Sequence, residues 1–79
     1  MSNREKYVTA FTATLLINKA DLTGLKYQDI ATWDSVGHMA LMAALEEVFA
    51  IEMEIDDIID FSSFEVGPAI LAKYNVRIE

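Results

Sequence analysis

Cysteine is absent from this chain of 79 residues, which excludes disulfides, thiolate metal sites and a cysteine nucleophile. Lys and Arg are missing from the whole interval between Lys26 and Lys73, and within it Glu46, Glu47, Glu52, Glu54, Asp56, Asp57 and Asp60 crowd one segment. At a net charge of −7, such a field repels nucleic-acid phosphates and anionic lipid and attracts basic protein surfaces. Its plainest effect is a solvated acidic face that favours solubility. No apolar run approaches the ~18 residues of a membrane span, and Met1-Ser2-Asn3-Arg4-Glu5-Lys6 has no apolar core of the secretory-signal kind. A cytoplasmic monomer with neither nucleic-acid binding nor membrane insertion is the expectation. Internal repeats and low-complexity tracts are lacking as well.

What the chain does have is apolar substance. Hydrophobic residues make up 53 % of it, too many for a disordered segment. They suffice for one small domain, residues 1–79, in which roughly 60 % of the unfolded surface is buried. The pattern predicts an all-α fold, a small four-helix bundle with a long first loop and a short third helix. Ser2 and Glu5 match the capping box, and Tyr7, Val8, Phe11 and Leu15 follow at helical spacing, giving a first helix from Asn3 to Leu16. From Ile17 to Trp33 the turn formers Asn18, Asp21, Thr23, Gly24 and Asp29 read as a loop. Leu22, Leu25, Tyr27, Ile30 and Trp33 pin it across the core, with room for a short helical turn.

Asp34 caps the second helix, accepting from the N–H of Val36 or Gly37, and Met39, Met42, Leu45 and Phe49 form its apolar stripe. Gly37 costs about 1 kcal/mol relative to Ala in a helix, so its presence predicts a close approach to the first turn. Ile51 to Asp56 alternates as a strand does, but nothing offers to pair with it. It is expected as an extended loop tucking Ile51, Met53 and Ile55 inward. Asp56 to Phe61 suits one or two helical turns. Ser62 to Glu65 repeats the capping-box pattern, and Gly67-Pro68 makes the last helix kink or start near Pro68, ending near Tyr74.

The most informative feature is Asp34-Ser35-Val36, a cap followed at once by a hydroxyl at the exposed start of an amphipathic helix. The first N–H groups of a helix lack internal partners, and the dipole favours an anion beside them. A phosphoryl group esterified to Ser35 would sit well there, so Ser35 reads as an attachment point. Ser35, His38 and the carboxylates also supply the residue types of a hydrolytic triad, and His38 lies one turn from Ser35. With one histidine and no glycine-rich oxyanion loop, catalysis by the chain itself is not expected. His38 reads either as a surface histidine or as a contact for a group on Ser35. Glu52 to Asp57 lacks the glycine and the frame of a calcium loop, so no dedicated metal site is expected.

The run Trp33-Asp34-Ser35-Val36-Gly37-His38 resembles the phosphopantetheine attachment motif of acyl carrier proteins, commonly Asp-Ser-Leu, here with Val36 third. The resemblance extends over nearly the whole chain, through Leu45-Glu46-Glu47-Val48-Phe49 and the stretch from Ile55 to Phe64. It implies an acyl-carrier-like bundle whose Ser35 carries 4′-phosphopantetheine, with Asp34 helping a phosphopantetheinyl transferase position its metal and cofactor. The terminal thiol would hold acyl groups as thioesters while separate enzymes with basic surfaces act on them. Glu46 and Glu47 are the expected partner contacts. Carriers of fatty-acid synthesis are acidic in the first turns of this helix, whereas Val36, Gly37, His38, Met39 and Ala40 carry no carboxylate. That departure, with Trp33, is similar to specialised carriers rather than the housekeeping one. An aminoacyl or peptidyl carrier, and an unmodified interaction module of the same fold, are the alternatives.

Overall fold

Local hydrogen bonds set where the helices begin. In α1 (Asn3–Leu15) the Ser2 hydroxyl accepts from the Glu5 N–H at 3.1 Å while the Glu5 carboxylate accepts from the Ser2 N–H at 3.0 Å. The helix stops where Leu16 turns left-handed at φ 58°, its N–H returning to the Thr12 carbonyl. A computed structural model describes the whole chain, Met1 to Glu79, and three more helices follow: α2 (Ser35–Phe49), α3 (Ile55–Asp60) and α4 (Gly67–Ala72). The fold is all-α; a lone antiparallel bridge between Lys26 and Ser63 is the nearest approach to a sheet. No helix is long and apolar enough to cross a membrane.

Sixteen buried apolar residues form one cluster, to which α1 contributes Tyr7, Ala10, Phe11 and Leu15 and α2 contributes Leu41, Met42 and Leu45. Phe11 is the hub, meeting Tyr7, Trp33 and Phe64 edge-on with ring centres 5.0, 5.5 and 5.1 Å away. Each such pair adds about 0.5–1.5 kcal/mol beyond the area it buries. The long loop is pinned by buried Leu22, Leu25 and Trp33 and half-buried Tyr27 and Ile30, with a 3₁₀ turn at Lys19–Asp21. Its backbone is paired at a distance. Tyr27 N–H donates to the Ser62 carbonyl and Phe64 N–H to the Leu25 carbonyl, both at 2.9 Å, so the loop and the α3–α4 connection hold each other.

Three expectations need correction. Met39 is 56 % exposed, because the buried stripe of α2 runs through His38, Leu41, Met42, Leu45 and Phe49 instead. A polar residue within that stripe hid its phase. Ile55 does not tuck inward: it opens α3 and is 73 % exposed, while Ile51 is half-buried and Met53 buried as expected. The second capping box does not form. Ser63 accepts from the Val66 N–H at 3.0 Å, and the Glu65 carboxylate reaches across to the Gly24 N–H at 2.6 Å. The last helix then starts at Gly67, with Pro68 in its first turn, where the missing N–H costs nothing. A Cβ on Gly67 would lie 1.9 Å from the Tyr7 hydroxyl, which donates to the Phe64 carbonyl at 2.6 Å. Burial pushes that phenol far above its ordinary value, so it stays a donor.

Candidate functional site

Asp34 has an extended backbone and its Oδ1 accepts from the Gly37 N–H at 2.8 Å, the cap read from the sequence. The Asp34 carbonyl accepts from the His38 N–H at 2.8 Å, closing the first turn of α2. Ser35 is the first residue of that turn and is exposed, as is Val36 at 77 %. Gly37 meets the close approach its identity foretold. A Cβ there would lie 1.9 Å from the Thr32 carbonyl oxygen, so the loop's backbone packs directly on the helix start. Thr32 is itself anchored, its hydroxyl donating to the Leu15 carbonyl at 2.6 Å.

Ser35 stands at the rim of a largely apolar cleft of about 310 Å³ between the loop, α2 and α3. Tyr27, His38, Met39, Ile58 and Ile59 line it. Val36, Met39, Ile55 and Ile59 remain exposed around this region, and Asp34, Asp56 and Asp60 are exposed on the same elements.

His38 is half-buried rather than a surface residue, and both its nitrogens are engaged within the fold. The Trp33 indole N–H donates to Nδ1 at 2.9 Å, and Nε2 lies 2.7 Å from the Ile58 carbonyl. An indole nitrogen can only donate and a carbonyl can only accept, so the imidazole is neutral with its proton on Nε2. Its one lone pair is therefore committed to Trp33 and is not offered to the Ser35 hydroxyl. Ile58 lies in the last turn of α3, where its carbonyl also accepts from the Phe61 N–H at 3.4 Å, so His38 adds a second bond at that helix end. Tyr27 and the Ile58 carbonyl were not foreseen as part of the site, and neither was the bond by which Trp33, the first residue of the motif run, holds His38. A buried tryptophan requires an acceptor for its N–H, and the only histidine, five residues on, was the available signal.

Glu46 and Glu47 differ. Glu46 is half-buried and its Oε2 accepts from the Met53 N–H at 2.8 Å, pinning the α2–α3 connection, whereas Glu47 is exposed. In α3 the buried Asp57 accepts from Lys73 Nζ at 2.6 Å and from the Tyr74 hydroxyl at 2.5 Å. These bonds, Lys73 first, hold its carboxyl below the usual carboxylate range. No three His, Cys, Asp or Glu side chains are grouped so as to hold a metal ion. No family model matches this chain, and no curated protein or solved structure matches it.

Proposed function

We propose that this chain is an acyl carrier protein, of the specialised kind, whose Ser35 hydroxyl is esterified by 4′-phosphopantetheine. The observation that carries the reading is Ser35 itself, an exposed hydroxyl on the first residue of a 15-residue helix, at the rim of an apolar cleft. The surroundings fit the group. Gly37 and His38 N–H are taken by Asp34, and those of Ser35 and Val36 have no helical acceptor, so the dipole end is open to a phosphodiester. When bound, the group supplies the thiol that the cysteine-free chain lacks, holding acyl groups as thioesters for separate enzymes.

The chain's own residues then bind and present. Asp34 fixes the first turn and, by the resemblance, assists the phosphopantetheinyl transferase. Met39, Ile58 and Ile59 give an attached apolar chain an apolar surface to lie against. Partner enzymes meet Val36, Met39, Ile55 and Ile59 with apolar contacts, and their basic rims meet Glu47, Asp56 and Asp60.

Intact-mass spectrometry after incubation with coenzyme A, magnesium and a broad-specificity transferase tests this. Wild type is expected to gain one phosphopantetheine unit and Ser35→Ala none. A wild-type chain left unmodified by several transferases would sink the reading and favour the unmodified interaction module. Loading by an amino-acid-activating enzyme in place of an acyl-activating one would identify an aminoacyl or peptidyl carrier.

A further inference from the structure

We infer that His38 is a proton-controlled latch on the cleft beside Ser35: neutral, it ties the long loop and α3 to α2; protonated, it releases the loop alone. The geometry is two-sided. Toward the loop, Nδ1 accepts from the Trp33 indole N–H at 2.9 Å, and the two ring planes lie 17° from parallel with centres 6.2 Å apart. Toward α3, Nε2–H donates to the Ile58 carbonyl. Trp33 is fully buried, so its N–H has no water to turn to if His38 stops accepting.

A proton added at Nδ1 changes the two sides oppositely. The Trp33 N–H then faces another donor, and the pair repels. The Ile58 bond becomes charge-assisted and strengthens. Release is therefore directional: α3 stays and the Trp33 segment is freed. The Trp33 backbone N–H donates to the Ile30 carbonyl, the Gln28 backbone N–H donates to the Trp33 carbonyl, and Tyr27 packs edge-on against the indole at 6.3 Å. The Tyr27 backbone stays bonded to the Ser62 carbonyl, so it is the Tyr27 ring, packed on the indole, that moves with Trp33, and the opening beside Ser35 changes width.

No carboxylate hydrogen-bonds the imidazole, whose partners are Trp33 and Ile58. Tyr27 is the titratable group that meets the ring, edge-on at 5.4 Å. On the loop, Asp29 accepts from the Lys26 N–H and the Lys26 side chain is exposed. On α2, Asp34 accepts from Gly37. On α3, Asp57 is paired with Lys73 and Tyr74, while Asp56 and Asp60 are exposed. The latch is a property of the unmodified chain; its consequence for a group held on Ser35 rests on the carrier reading.

The chain has one histidine and one tryptophan, so nitrogen-15 NMR reads both partners without ambiguity. The full unmodified chain is titrated from about pH 8 to about pH 5, the span in which imidazoles ordinarily gain a proton. At the upper end Nε2 is expected to be protonated, Nδ1 bare, and the indole N–H protected from exchange. As the imidazole titrates, indole protection, the observed exchange rate set against the intrinsic rate at each pH, should fall roughly tenfold, the loss of one hydrogen bond. Tyr27 signals should move with it while the Ile58 amide region holds. His38→Gln, whose amide can accept and donate but does not titrate, should keep the indole protected across the range. His38→Phe should lose protection throughout. An imidazole that does not titrate in this span, one that titrates with the indole signal unchanged, a proton on Nδ1 at the upper end, or global unfolding before any local step overturns the latch. Ser35 modification is scored separately by mass. A working latch in a chain that no transferase modifies defeats the carrier reading alone, and a modifiable chain with a pH-independent indole signal defeats the latch alone.

Discussion

Gly37→Ala sets helix propensity against packing, and the two predict opposite signs. Inside a helix, Ala in place of Gly stabilises by about 1 kcal/mol. Here the new Cβ would lie 1.9 Å from the Thr32 carbonyl oxygen and 3.1 Å from its carbon, with the Asp34 Oδ1 at 3.4 Å. The first two are backbone atoms, and Thr32 cannot swing aside, because its hydroxyl is tied to Leu15 and the next residue is the fully buried Trp33. Relief requires moving either the loop or the start of α2, and overpacking of this kind costs about 1–3 kcal/mol. Since a clash this close lies at the upper end, the net expectation is a loss of about 1–2 kcal/mol. For a domain of this size that lowers the melting temperature by roughly 4–16 °C. Thermal unfolding followed by circular dichroism measures the loss, and Trp33 fluorescence reports displacement at the site. An unchanged or higher melting temperature for Gly37→Ala would refute the reasoning, since propensity alone would then describe the position.

Because Gly37 has no room for a side chain, acidity must be added to the helix start elsewhere. On the proposed carrier reading, Val36→Asp with Ala40→Glu, both at exposed positions, is expected to improve elongation by housekeeping fatty-acid enzymes, most clearly at low salt. If the natural chain already matches a housekeeping carrier in that assay, the neutral first turns say nothing about partners. Ala50 ends α2 in the left-handed region at φ 54°, so Ala50→Gly should raise stability by about 1 kcal/mol in urea unfolding; a lower midpoint would count against the strain. Asp57 has its folded value depressed by Lys73 and Tyr74, so its contribution is full above the usual carboxylate range and fades as pH falls through that lowered value. Lys73 is raised by the same bond, so its share persists to alkaline pH and goes only above the ordinary lysine range. Asp57→Asn should therefore lower the melting temperature at neutral pH, with the difference from wild type shrinking below about pH 4. A difference that is constant across the acid range would show that the pair's charge is irrelevant.

Features closed by near neighbours in the chain could be read from the sequence. Ser2 and Glu5 satisfy each other's backbone N–H three residues apart, and Asp34 reaches Gly37 over the same spacing, so both helix starts followed from residue identity alone. The exposure of Ser35 came with its cap, because side chains lean toward the helix N-terminus and no earlier turn of α2 lies there to cover it. The absence of cysteine and the gap in basic residues bounded the chemistry in the same direct way. Whatever depended on a partner far along the chain required the tertiary structure. Ser62 and Glu65 have the spacing of a cap, but Glu65 bonds to Gly24, 41 residues away, and leaves Ser63 to hold the turn. Glu46 looks like a surface acid until Met53 N–H is brought against it. His38 fell on the buried stripe of α2 only because Trp33 and Ile58 arrive from two other elements to satisfy its two nitrogens. A polar side chain belongs inside when its hydrogen bonds are met there, and helical periodicity, which counts apolar residues, carries no record of where the partners will come from.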